Sequence, residues 1–366
     1  TPLYSSAASD VYKRQPLCNA CRVRQGRAIA WRARLACACG IVARPFDFIA
    51  KPDARMVHPL STPGYRKLLD LQRRIHEFTL LACADDDVDI RAPDLPLWSR
   101  AYQYLSIAPL LGGLQVEYFG ELWEEPFAWT LACLADQEVA DAIVALSFTG
   151  PDEGANGTRE WEFTPLVDSA VRFPVLKSLA IRPSGQADHN VVLVQRAGTI
   201  MEESGEIARF VAKAPALTQL TVPNAPDASF FDVPLPYLQT LVVESGFDTQ
   251  AFIENLASST NLTALRSLDF TESTELHSTW ADAREAGCIT PFSAYEQLLR
   301  SAVGERLRAL TLRNTCLNLE QLQALQALRP KLGVMVVQSP RGGYVSHFRQ
   351  DVFPWRHLVQ ADPGVR

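Results

Sequence analysis

The apolar positions of this chain fall into a recurring three-point pattern, Leu-x-x-Leu-x-Leu, best formed at Leu307, Leu310 and Leu312 and followed by a polar turn and Leu317. The same spacing occurs at Ile143/Leu146/Phe148, Leu176/Leu179/Ile181, Leu217/Leu220/Val222, Leu238/Leu241/Val243, Leu265/Leu268/Phe270 and Leu332/Met335/Val337, seven registers in all. Alternation such as Leu310-Thr311-Leu312 has the period of a strand with one buried face. Between registers the spacing turns helical. Asn318-x-x-Gln321 ahead of Leu319, Leu322, Leu325 and Leu328 predicts a capped helix stopped by Pro330, and Thr290-Pro291 with Ser293-x-x-Glu296 predicts a second start. Each unit thus supplies a strand and a helical return. First apolar positions lie 33, 41, 21, 27, 42 and 25 residues apart, so the longer intervals carry insertions.

Upstream, Leu68, Leu71 and Ile75 predict an amphipathic helix, and Pro126 after Glu124 and Glu125 predicts another running to about Leu134. Between them lies an aromatic segment with Trp98, Tyr102, Tyr104, Tyr118, Trp123 and Trp129, in which Leu111/Leu114/Val116 form a weak eighth register. Large aromatics there suit a cap over the first repeat, because a stack of repeats must cover its open end. Tyr344, Phe348, Phe353 and Trp355 suit a cap at the other end.

Tyr237-Leu238-Gln239-Thr240-Leu241-Val242-Val243-Glu244-Ser245-Gly246 and Leu307 to Leu317 carry a resemblance to bacterial leucine-rich-repeat proteins, in particular to irregular, little-characterised members. Intervals of 21 to 27 residues fall within the family's span of about 20 to 29. The resemblance covers residues 143–338 and implies an α/β fold, a leucine-rich-repeat solenoid with a curved parallel sheet inside and helices outside. The bend follows from spacing: strands sit ~4.8 Å apart and helices ~8–10 Å, so seven strands give an inner face of about 29 Å. One departure matters. The ninth position, usually Asn or Cys, is Pro151, Ser184, Ala225, Gly246, Ser273, Thr315 and Pro340, so no asparagine ladder satisfies the turn backbone and local distortion is expected.

Composition alters the picture mainly at the amino terminus. Asp10-Val11-Tyr12-Lys13-Arg14-Gln15 resembles the translated end of a transposon-based sequencing adapter, which makes residues 1–15 an expected assembly artefact and 16–55 a non-native or disordered leader. The expected organisation is then an amino-terminal α/β cap over 56–142, repeats over 143–340 and a carboxy-terminal cap over 341–366. Residues 1–55 hold ten Lys/Arg and three Asp/Glu, leaving 25 basic against 38 acidic residues, a net charge of −13 where the whole chain has −6. Such a body disfavours nucleic acid and anionic membrane as partners and is compatible with a basic protein. No apolar run approaches the ~20 residues of a membrane span. Cys83, Cys133, Cys288 and Cys316, widely spaced, suit a reducing cytoplasm.

Candidate chemistry is sparse. Cys18-x2-Cys21 with Cys37-x-Cys39 departs from zinc-knuckle spacing by one residue. Asp85, Asp87 and Asp89 occupy the first calcium-loop positions, but Ile90 and Pro96 stand where glycine and a bidentate glutamate are required. No nucleophile elbow, zinc-protease, phosphate-loop or dinucleotide motif is present, and Asp188-His189 sets a histidine next to a carboxylate on a loop. No cofactor is expected. The residues pointing away from the core form a small, polar concave face, and from it Arg182, Gln219, Thr221, Glu244, Asp269, Thr271, Thr311, Arg313 and Gln338 are the expected partner-binding residues. Asp248, Glu272 and Glu275 in the adjoining loops extend it as an acidic patch, and Glu244 with Asp269 is the one carboxylate pair that adjacent strands bring close. The expected function is non-enzymatic protein binding. The alternative is a hydrolase or transferase whose site lies between the amino-terminal segment and the first repeats, walled by the aromatics from Trp98 to Trp129.

Overall fold

The computed structural model describes residues 58–85, 103–120, 124–150, 159–160, 162–181, 191–192, 203–244, 249–272, 290–313 and 315–337. The expectations for 1–55, for Asp86 to Trp98, for Trp123 and for the tail after Val337 lie outside these residues.

The chain from Met56 onward is one compact unit of α/β type. Helix α1 (Pro63–Asp85) is entered through the turn Pro59–Ser61, with the Thr62 hydroxyl accepting the Tyr65 N–H at 3.2 Å. Its apolar stripe is buried as the spacing predicts: Leu68, Leu71 and Ile75 face inward. The expected eighth register is instead a hairpin of β1 (Tyr104–Leu110) and β2 (Gly113–Phe119), closed by Leu111-Gly112. Gly112 takes a positive φ of 91°, and this tight reversal leaves Leu111 85% exposed. Helix α1 shields the free edge of β1. Its Gln72 donates to the Leu105 carbonyl at 2.6 Å, and Thr79 both donates to the Gln103 carbonyl and accepts its N–H.

Helix α2 (Glu125–Leu134) begins with Pro126 in its first turn, and the short α3 (Gln137–Ala140) is capped by the Asp136 carboxylate. Then come β3 (Ile143–Thr149), β4 (Arg159–Glu160), α4 (Thr164–Val167), β5 (Ser178–Ile181), β6 (Val191–Val192), α5 (Glu206–Val211) and β7 (Gln219–Val222). A 3-10 turn (Ala228–Asp232) leads to β8 (Thr240–Glu244), followed by α6 (Phe252–Ser258), β9 (Ser267–Thr271), α7 (Phe292–Arg300), α8 (Ala302–Arg306), β10 (Ala309–Arg313), α9 (Leu319–Leu328) and β11 (Gly333–Val337). Nine strands form one sheet in the order β1-β2-β3-β5-β7-β8-β9-β10-β11, parallel from β2 onward, while β4 and β6 pair separately. Within the large sheet each strand after β2 therefore lies beside the sheet strand that precedes it in the chain.

In six of the seven registers every apolar position is buried, from Ile143, Leu146 and Phe148 to Leu307, Leu310 and Leu312. The seventh is displaced by one residue. Val334 and Val336 pair with Leu310 and Leu312, so Met335 stands beside Thr311 on the opposite face and is 58% exposed. Leu332 and Val337 are buried as expected, but the turn from α9 is one residue shorter in register, which puts Val334 rather than Met335 against the core. Asn318 and Gln321 form the expected capping box, each bond 2.9 Å. The Ser293 box is not formed, because α7 starts one residue before it, with Pro291 at the cap.

Behind the sheet the short returns are bridged by phenylalanines. Phe148 packs on Phe163 with centroids 4.8 Å apart, Phe163 on Phe210 at 5.5 Å, and Phe252 on Phe270 at 5.2 Å. Helices of four to seven residues bury little by themselves, and these rings supply apolar area that longer helices would provide.

Candidate functional site

The polar positions of the strands line up in register on the face opposite this core. One row runs Ser106, Glu117, Ser147, Ala180, Thr221, Val242, Asp269, Thr311, Met335. The row before it holds Gln219, Thr240, Ser267 and Ala309, and the row after it holds Thr149, Glu244, Thr271 and Arg313. Gln219 is exposed, and Thr221, Asp269, Thr311 and Arg313 are partly exposed. Side chains on this face are small because six-residue units leave only three outward positions, most of them Ser, Thr or Ala.

Asp269 and Arg313 are the charged centre of the face. The Arg313 Nε donates to Asp269 Oδ1 at 2.7 Å and its Nη2 donates to Oδ2 at 2.9 Å, a two-pronged ion pair across adjacent strands with both side chains about one-fifth exposed. Asp269 is thus committed to a guanidinium. An opposite charge on the diagonal position lowers the energy of both groups, and the Glu244 carboxylate, the expected neighbour of Asp269, lies outside the described residues. Thr271 departs from expectation. It is completely buried beside Arg313, its hydroxyl without a hydrogen-bond partner among the described residues. Thr271 leaves the set of accessible residues. Arg182 and Gln338 lie outside the described residues, as does the side chain of Glu244.

Glu272 was expected in an exposed acidic loop; it is 1% exposed. Strand alternation continues through it, with Leu268, Phe270 and Glu272 all on the core side, a signal that the sequence carries. Its carboxylate accepts the Thr290 N–H at 3.1 Å, the Tyr295 hydroxyl at 3.0 Å and the Cys316 N–H at 3.3 Å, with the Thr315 hydroxyl as a further partner. Burial raises its pKa to about 7, although all these donors favour the ionised form. Beside it, burial and then the Glu272 charge hold the Tyr295 hydroxyl well above its usual range.

Glu203 repeats the arrangement between β5 and β8. It accepts the Gly205 and Ile207 N–H groups, both at 2.9 Å, and the Asp227 N–H at 2.8 Å, and burial raises its pKa to about 7 as well. Gln250, from the loop after β8, donates to the Glu203 carbonyl at 2.8 Å. Two buried glutamates thus bind backbone N–H groups of the turns that follow the strands.

Helix α1 and β1 border a cleft of about 410 Å³ lined by Leu69, Gln72, Arg73, His76, Gln103, Tyr104 and Leu105. His76 is its one histidine, and no carboxylate lines it. Trp129 does not wall it. Its ring is covered by the Arg74 guanidinium at 3.5 Å and meets Phe78 edge-on at 5.7 Å. Cys133 is a free thiol whose pKa burial raises to about 11, so it is protonated near neutral pH. Among the described residues no group of three or more His, Cys, Asp or Glu is placed to hold a metal ion, and no helix is long and apolar enough to cross a membrane.

No protein-family model matches the chain. No curated protein matches it either. Among solved structures, a Bacteroides fragilis protein determined by a structural genomics consortium aligns over 73% of this chain and 94% of its own, at 11% identity and a TM-score of 0.32.

Proposed function

We propose that the chain is a leucine-rich-repeat solenoid acting as a non-enzymatic protein-interaction module, with its open sheet face as the binding surface. The supporting observation is the row of small side chains from Ser147 to Thr311, held in register by strands that follow one another in chain order. Such a surface lets a partner's backbone approach closely, and the Asp269–Arg313 pair toward its carboxy-terminal end offers both a cation and an anion to that partner. The pair is locally neutral, so it suits hydrogen bonding with a polar partner better than attraction of a purely basic one. Gln219, Thr221, Thr311 and Arg313 are the contacts assigned to it.

Affinity capture with the full chain tests this reading. Thr221→Arg and Thr311→Arg place bulk on the row without touching the core. Each is expected to lose the proteins recovered by the unaltered chain while its circular dichroism stays unchanged. Recovery of the same proteins at the same yield refutes the proposal.

A further inference from the structure

The cations of the repeat region collect where the chain enters the strands. Arg172, Lys177 and Lys213 lie ahead of β5 and β7, Arg266 and Arg308 immediately ahead of β9 and β10, and Lys331 ahead of β11. Three of them continue the sheet by one row. The Thr218 N–H donates to the Lys177 carbonyl at 2.8 Å, Gln239 to Thr218 at 2.8 Å, Arg266 to Gln239 at 2.9 Å and Arg308 to Arg266 at 2.7 Å. Strand spacing therefore sets Arg266 and Arg308 ~4.8 Å apart at the backbone and Lys177 about 14 Å farther along. Among the described residues none of the six cations has an ion-pair partner, while Asp168 on this edge is paired with Arg209, leaving Asp232, Glu305 and Asp141, which accepts from Gln137. Like charges are felt here: the Lys213 pKa is lowered, first by burial and then by Arg172 and Arg209.

Helix dipoles explain only part of this. Arg329 donates to the carbonyls of Gly304 and Glu305 at 2.7 and 2.9 Å, as a cation at a helix end does. Arg266 belongs to that part too, its guanidinium donating to the Arg306 carbonyl at the end of α8 at 3.3 Å, whereas Lys177 stands ten residues beyond α4, too far for that attraction, which fades within a turn. In the interval between the two groups of cations, the turn ahead of β8 presents Tyr237, 60% exposed.

We propose that this edge is a second docking surface, for an acidic peptide segment of a partner protein. Its carboxylates meet the exposed Arg172 and Lys177 on one side and Arg266 and Arg308 on the other, with an apolar side chain on the Tyr237 ring between them, while the Lys213 ammonium is held by the Ser169 and Val171 carbonyls. A net charge of −13 over residues 56–366 works against a densely charged polyphosphate. Sparse carboxylates flanking an apolar residue match the interrupted row of cations.

Fluorescence anisotropy with the full chain tests the proposal, using a labelled peptide of two glutamate-rich halves flanking Leu-Phe and a labelled oligothymidylate. The peptide is expected to bind in a salt-sensitive way, with the double variant Arg266→Glu/Arg308→Glu weakening it about tenfold. Lys177→Glu/Lys331→Glu should weaken it as well, and Tyr237→Ser several-fold. Thr311→Arg, which obstructs the open face, should leave it unchanged, so the two surfaces fail separately. Absence of peptide binding, binding indifferent to both charge reversals, or tighter binding of oligothymidylate overturns the proposal.

Discussion

Glu272 shows how one residue joins the layers of this molecule. Its carboxylate gathers the Thr290 N–H ahead of α7, the Tyr295 hydroxyl within α7 and the Cys316 N–H after β10. Replacing it with alanine leaves these donors buried without an acceptor, at an expected cost of about 3 kcal/mol or more, read from the urea midpoint. Its pH dependence has a definite sign. The folded pKa, about 7, lies above the ordinary 4.5, so the folded state holds a proton that the unfolded state has released. The stabilising contribution is complete below about pH 4.5 and is lost as pH rises through about 7. Glu203, shifted the same way, adds to it. Urea midpoints should fall between about pH 5 and about pH 8, and Glu272→Gln, which cannot titrate, should flatten the slope. An equal slope in the variant excludes Glu272 as a source. Periodicity already put this side chain inward, but its donors come from residues 18, 23 and 44 positions away, and no local pattern joins them.

Single strands follow the same division. Register is legible where the leucine spacing is complete, as at Leu217/Leu220/Val222, because a strand slipped by one residue would expose all its apolar side chains. In β11 the residues Val334, Met335, Val336 and Val337 are apolar without interruption, so both registers read equally well in the sequence and pairing with β10 chooses between them. Val334 packs against the core and Met335 is 58% exposed, so Val334→Asp should destabilise the protein by about 2 kcal/mol or more and Met335→Asp by less than about 0.5 kcal/mol. Thermal melts of the two variants check this, and the reverse order would restore the leucine-spaced register. The β1–β2 hairpin was hidden for a related reason. Leu111-Gly112 interrupts an apolar run that otherwise resembles a repeat, and whether such a glycine turns the chain back depends on the strand it then meets.

Across the molecule, each strand of the large sheet pairs with its neighbours in chain order, so the sheet is built from successive local interfaces. Opening should therefore grade along the sheet. Strands β7 to β10 bury Leu220, Leu241, Leu268 and Leu310 to 1% or less, whereas β11 offers the core only partly buried valines at the equivalent positions. Hydrogen exchange read by mass spectrometry should show the β11 amides exchanging faster than those of β8 and β9, and uniform protection would indicate global cooperativity instead. The sequence by itself determined the leucine registers, the sides of the strands they bury and most of the residues on the open face, because burial of a period-two pattern is a local property. Tertiary structure alone decided that Arg313 holds Asp269, that Thr271 is covered and that cations from distant turns share one edge. Those outcomes depend on which strands become neighbours, and adjacency is set by the packing of the whole sheet.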